Sequence, residues 1–111
     1  MLFRSVRKSM KVSKNLAHME VLDSGASGAV NFVLGFSGKD VGVAYKERVD
    51  KGIYAVSVRG SPSCKTHLGR LVSSIAADLG GSGGGHDRAC GGIIPKREMK
   101  NFLREMNSRL G

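Results

Sequence analysis

Residues 80–92 read GGSGGGHDRACGG, seven glycines and one histidine in thirteen positions. Each glycine gives up more conformational freedom on folding than any other residue, so a run this dense is expected to do something that a side chain would prevent. Two readings stand side by side. In the first, backbone N–H groups of Gly83, Gly84 and Gly85 converge into a nest for an anion, phosphate above all. His86 then adds a hydrogen bond or a charge, Arg88 follows closely, and Arg59 offers a planar fork suited to phosphate. In the second, Gly83 to Gly85 make a tight crossing between a helix and a strand. Gly91 and Gly92, beside Ala89 and Cys90, then permit close helix–sheet packing. The stretch is not a P-loop, since no Lys-Ser/Thr follows it. It is not a dinucleotide fingerprint either, because it precedes a strand instead of opening a helix after one.

The flanks are periodic. Before the glycines, Leu68, Leu71, Val72, Ile75, Ala76 and Leu79 follow helical spacing, which predicts a helix from about Lys65 to Leu79 that stops at Gly80-Gly81. After them come a short apolar strand at Ile93-Ile94 and a last helix. Pro95 suits the first turn of that helix, and Met99, Phe102, Leu103, Met106 and Leu110 form its inner face. Upstream, VGVAYKE and IYAVSVR alternate Val41, Val43 and Tyr45 with Tyr54, Val56 and Val58, and VDKG between them makes a hairpin turn at Gly52. Ser57 and Arg59 share the opposite face of the second strand, near its end. Earlier still, Ala17 to Leu22 read as a strand, Asp23 or Ser24 as an N-cap, and Val30, Val33 and Leu34 as one helical face. The predicted order is β-α-β-β-α-(Gly loop)-β-α. That describes an α/β (α+β) domain with helices packed on a small mixed sheet.

The chain has 111 residues, enough for one domain with a single modest core. We place that domain at 15–111. Residues 1–14 carry five basic residues and no acid, and Leu2, Val6 and Met10 fall near helical spacing. This segment reads as a basic arm or short helix, and its composition also suits an organellar transit peptide. Aromatics make up 5% with no tryptophan, which excludes a broad base-stacking platform. Eighteen Lys and Arg against nine Asp and Glu give a net charge of +9, which favours polyanionic partners, nucleic acid first. No run approaches the ~18 apolar residues of a membrane span, so no membrane partner is expected. Cys64 and Cys90 show no CxxC spacing and no secretory segment precedes them, so reduced thiols in a cytoplasmic protein are expected.

The segment GGGHDRACGGII, preceded by the helix HLGRLVSSIAADLGG and a strand carrying SVRGS, resembles the type 1 DHH-associated domain. That is the substrate-binding module of DHH-family phosphoesterases and single-strand exonucleases. The resemblance runs from Val41 to the last helix, and more loosely from Ala17. It implies that Ser57, Arg59 and Ser61 lie beside substrate phosphates, and that Gly83, Gly84, Gly85 and His86 hold the phosphate or nucleotide. Where many members have two alanines after the histidine, this chain has Ala89 and Cys90. The intact His86 resembles the phosphoesterase branch rather than the diverged module of alanyl-tRNA synthetases.

The family's metal-binding Asp and His residues sit in a separate, larger domain. Asp23, Asp40, Glu47, Asp50 and Asp78 are scattered here, and His18, His67 and His86 form no ligand spacing. Two-metal hydrolysis needs several such groups to converge. The expectation is a binding half without a cutting half: no cofactor in this chain, with manganese or magnesium confined to a catalytic partner domain or chain. The expected ligand is single-stranded nucleic acid or an oligonucleotide. The alternatives are a small phosphoesterase acting on short oligonucleotides or nucleotides, and a dimerisation or docking module, such as a homodimer, whose glycine loop is purely structural.

Overall fold

The computed structural model describes residues 10–22 and 26–110. Strands β1 (Lys11–Val12) and β2 (Ala17–Glu20) precede helix α1 (Ala26–Ser37). Then come β3 (Val41–Arg48), β4 (Ile53–Gly60), α2 (Leu68–Asp78), β5 (Ser82–Gly85), β6 (Ala89–Pro95) and α3 (Met99–Leu110). The six strands form one mixed sheet in the order β1-β2-β3-β4-β6-β5. Only β2 and β3 are parallel, and α1 is their crossover. This is the expected α/β class and order with two strands added, β1 at one edge and β5 at the other.

Alternation along β3 places its residues on two faces. Val41 and Val43 enter a core with Val56 and Val58 of β4 and the inner faces of α2 and α3. Ala44 enters a second core with Met19, Val30 and Val33 under α1. Both faces of β3 are therefore covered, and its first four residues are all buried. Gly42 explains how α1 comes so close: a Cβ there would stand 3.0 Å from the Leu34 backbone nitrogen. Among the described residues, Phe102 on α3 is the largest fully buried side chain.

The β3–β4 hairpin pairs Val41 with Gly60 through to Arg48 with Ile53, and a 3-10 turn at Val49–Lys51 closes on Gly52 at φ 64°. Helix α2 starts three residues later than the spacing implied. His67 is its N-cap, with ring Nδ1 accepting from the Arg70 N–H at 3.1 Å. At its other end Gly80 takes φ 86°, Gly81 N–H donates to Ala76 O, and Gly80 N–H donates to Ala77 O. This is a Schellman stop.

Three further expectations need correction. Pro95 ends β6 rather than opening the last helix; a 3-10 turn at Lys96–Glu98 intervenes, and α3 begins at Met99. The strand at Ile93-Ile94 is longer, starting at Ala89. Lys11 and Val12 are not helical: they pair with His18 and Ala17 of β2. The N-cap expected at Asp23 or Ser24 lies outside the described residues, as do residues 1–9 of the basic arm.

Candidate functional site

The glycine stretch is a hairpin. Ser82–Gly85 form β5, paired antiparallel with β6 so that Gly83 faces Gly92, Gly84 faces Gly91 and Gly85 faces Cys90. His86 N–H donates to Ala89 O at 2.9 Å, leaving Asp87 and Arg88 as a two-residue tip. A two-residue hairpin turn ordinarily needs positive φ, yet neither tip residue has it. The tip is held from outside instead. Leu68 N–H donates to Asp87 O at 2.8 Å, Gly69 N–H to His86 O at 3.1 Å, and Gly60 N–H to Arg88 O at 2.9 Å. The first two of these bonds use donors at the α2 N-terminus that a helix cannot satisfy internally.

The glycines permit these close contacts. A Cβ on Gly69 would lie 2.4 Å from Gly85 O. One on Gly91 would lie 2.5 Å from Val56 O, and one on Gly92 2.4 Å from Ser82 O. Gly84 differs, since a Cβ there would meet only Ser73 Cβ, at 4.0 Å. Gly83, Gly84 and Gly85 are thus a sheet edge rather than a loop of converging N–H groups.

Register then decides which side chains share a surface. Gly42 faces α1, Arg59 stands opposite Gly42, and Ala89 stands opposite Arg59. His86 faces Ala89 across the hairpin, and alternation puts it in the same row. The row Arg59–Ala89–His86 crosses two strand spacings, about 10 Å between its outer backbones, with only a methyl group between the two long side chains. The next row holds Ser57, Gly91 and Gly84. Helix α1 covers β2, β3 and part of β4 on this face. Beyond it the Ser57–Gly91–Gly84 row is of small residues that leave backbone near the surface, and the row after that carries the exposed Ile93 between Ala55 and Ser82. His86 and Arg88 are exposed, and Arg59 and Ser57 are half-buried.

Ser61 is placed differently. Its Oγ donates to Asp40 Oδ1 at 2.9 Å and accepts from Ser63 N–H at 3.2 Å, so its hydroxyl fastens the loop after β4. Cys90 packs behind Arg59, towards α2. Burial pushes its thiol up to about 11, against the opposing pull of the Arg59 charge. Cys64 and Cys90 are both free thiols.

On the outer side of β5, a shallow groove is lined by His67, Arg70, Ser73, Ser74, Gly84 and Gly85. Sequence reasoning passed over His67 and Arg70. The outward positions at 70, 73 and 74 follow from the helical spacing, whereas the N-cap at His67 follows only from where the helix starts in the structure. Among the described residues no three His, Cys, Asp or Glu side chains converge as a metal site. No helix among them is long and apolar enough to cross a membrane.

No curated protein matches the sequence. Among solved structures, the pGpG-specific phosphodiesterase PggH from Vibrio cholerae superposes with a TM-score of 0.71 at 16% identity, over 96% of this chain and 36% of its own. A DHH-domain protein described as a member of a family of ribosomal proteins gives 0.73 at 16% identity, over 98% and 29%. The C-Ala domain of Aquifex aeolicus alanyl-tRNA synthetase gives 0.70 at 11% identity, over 92% and 97%. This chain therefore spans about a third of the length of the first two and nearly all of the third. At these identities the likeness is one of fold. The sequence itself matches the DHHA1 domain from residue 9 to residue 111, and on that match the chain belongs to the DHHA1 domain family.

Proposed function

We propose that this chain is a phosphate-binding module for single-stranded nucleic acid or short oligonucleotides, and that the row Arg59–Ala89–His86 is its grip. The observation that carries the reading is that row: a forked cation and an imidazole flank one methyl group on a part of the sheet that, among the described residues, no helix covers on this face. A phosphate resting on Ala89 is within reach of both. Arg59 supplies paired donors of fixed geometry, and His86 supplies a ring N–H. The glycine row beside them lets a sugar–phosphate backbone lie close to the sheet. Arg88 at the tip and the overall charge of +9 add sequence-independent attraction. Ser57 lines the approach. Ser61 acts indirectly, by holding the loop that follows Arg59.

Hydrolysis belongs to a separate catalytic domain or chain. The described residues do not fit the manganese or magnesium that DHH-type chemistry implies, because no set of ligands converges. The chain's own part is to bind and orient.

The test is fluorescence anisotropy of a labelled short single-stranded oligonucleotide across a salt series. Binding should weaken with salt, and Arg59→Ala should lower affinity about 10- to 100-fold, as expected for a lost charge-assisted hydrogen bond pair. Arg97→Ala, an exposed cation elsewhere, should cost about twofold. Equal losses in the two variants would leave only diffuse attraction and sink the site. No binding at low salt would favour the docking reading instead.

A further inference from the structure

A second basic feature lies outside the row just described. Three loops meet beyond the end of the sheet: the β1–β2 loop with Lys14 and Asn15, the α1–β3 loop with Lys39 and Asp40, and the β4–α2 loop with Ser63, Lys65 and Thr66. Together with Leu110 at the end of α3 they enclose a cleft of about 420 Å³, within the usual range of small-molecule sites. Three lysines line it against one acid. Asp40 is already engaged by Ser61, and among the described residues no carboxylate lies within ion-pair distance of Lys14, Lys39 or Lys65.

The walls are built. The Asn15 backbone N–H donates to Asn107 Oδ1 and its side-chain Nδ2 to Asn107 O, both at 2.8 Å, pinning the first loop to α3. Lys39 Nζ donates to Lys14 O at 3.1 Å, which turns the ammonium across the cleft and leaves two of its three N–H groups. Three lysines lining so small a volume concentrate positive charge there, and an anion among them relieves its repulsion. Arg59, Ala89 and His86 are not among the residues that line the cleft, so the two basic features have different linings.

We propose that this cleft binds a small, multiply charged phosphate anion, an inorganic triphosphate or the triphosphate of a nucleotide. Its size fits a compact ligand better than a continuing nucleic-acid strand. Such a ligand would tie the three loops together through their lysines, and it would therefore stabilise the fold.

The experiment is titration calorimetry with inorganic triphosphate at low salt, with thermal unfolding in parallel. Wild type should bind one anion per chain and melt at higher temperature. The double variant Lys39→Gln/Lys65→Gln should lose about tenfold or more in affinity. Lys51→Gln/Lys100→Gln, which removes the same charge from exposed positions elsewhere, should change it about twofold, and so should Arg59→Ala. Equal losses in the two double variants would mean diffuse attraction and overturn the site. Loss in Arg59→Ala matching that in Lys39→Gln/Lys65→Gln would place the anion on the strand row, and would overturn it too. So would the absence of saturable binding, or displacement of triphosphate by an oligonucleotide in Arg59→Ala. Circular dichroism checks folding, and Lys14→Gln/Lys65→Gln serves if the first pair fails to fold. ATP in place of inorganic triphosphate tells the sources apart: equal affinity means that only phosphates are read, and tighter binding means that the cleft also holds the nucleoside. Failure of the oligonucleotide experiment leaves this outcome unaffected, since the two use different ligands and different residues.

Discussion

Gly69 on helix α2 gives its N–H to the carbonyl of His86 at 3.1 Å, so the backbone of the helix start rests directly on the hairpin that carries the candidate site. The contact requires glycine, because a Cβ would stand 2.4 Å from Gly85 O and 2.8 Å from His86 O. Position and rigidity of the His86 tip therefore depend on a residue that touches no ligand.

Gly69→Ala is expected to destabilise the fold. Alanine regains about 1 kcal/mol of helix propensity, while forcing a methyl into a filled backbone contact costs about 1–3 kcal/mol. An approach this short puts the cost at the upper end, for a net loss of about 2 kcal/mol. The urea midpoint at unchanged m-value measures it. Gly35→Ala, on the exposed side of α1 where a Cβ would meet nothing within 4 Å, should instead gain about 0.5–1 kcal/mol. A stable Gly69→Ala protein would mean that the hairpin and helix do not touch as described.

Arg59 and His86 should act as a pair. If both hold one phosphate over Ala89, removing either leaves the other gripping poorly, and the two losses will not multiply. A double-mutant cycle on oligonucleotide affinity should show a coupling above about 0.5 kcal/mol. Independent losses would mean that the two side chains serve different phosphates.

His18 should make stability depend on pH. Its pKa is lowered, first by burial and then by the Lys11 charge. Nδ1 lies 3.2 Å from the Tyr45 hydroxyl, which donates to it in the neutral tautomer whose proton is on Nε2. Because the folded pKa lies below the unfolded value of 6.5, the unfolded chain takes up the proton more readily. Stability is therefore fully present above about pH 6.5 and falls as acid approaches the lowered folded pKa. Urea midpoints from about pH 8 down to about pH 5 should decline more steeply for wild type than for His18→Gln. Parallel curves would remove His18 as the cause.

Cys90 should resist alkylation. With its thiol raised from 9.0 to about 11, the thiolate fraction near pH 8 is about 100-fold below that of an open cysteine. In a Cys64→Ser background, iodoacetamide should label Cys90 slowly in the folded protein and rapidly in urea. Fast labelling of the folded state would show that the β6 face towards α2 is open to solvent.

Much of the architecture was legible in the residues alone. Alternation of valines set the β3–β4 hairpin and its turn at Gly52, and helical spacing at Leu68, Val72 and Ile75 marked the inner face of α2, because burial on one side writes its period into the sequence. The motif SVRGS, helix, GGGH was legible as a family signature in the same way. Glycine carries no such period, so nothing in Ser82–Gly85 revealed a strand: its identity lies in backbone bonds to β6 and in close contact with α2. Nor could spacing tell that Ser61 turns its hydroxyl to Asp40, or that His67 caps a helix. Local chemistry determined which elements exist and which faces they bury. Only the tertiary structure decided that Arg59 and His86 flank Ala89 in one row, because register across three strands joins residues that are far apart along the chain and leaves no trace in the order of amino acids.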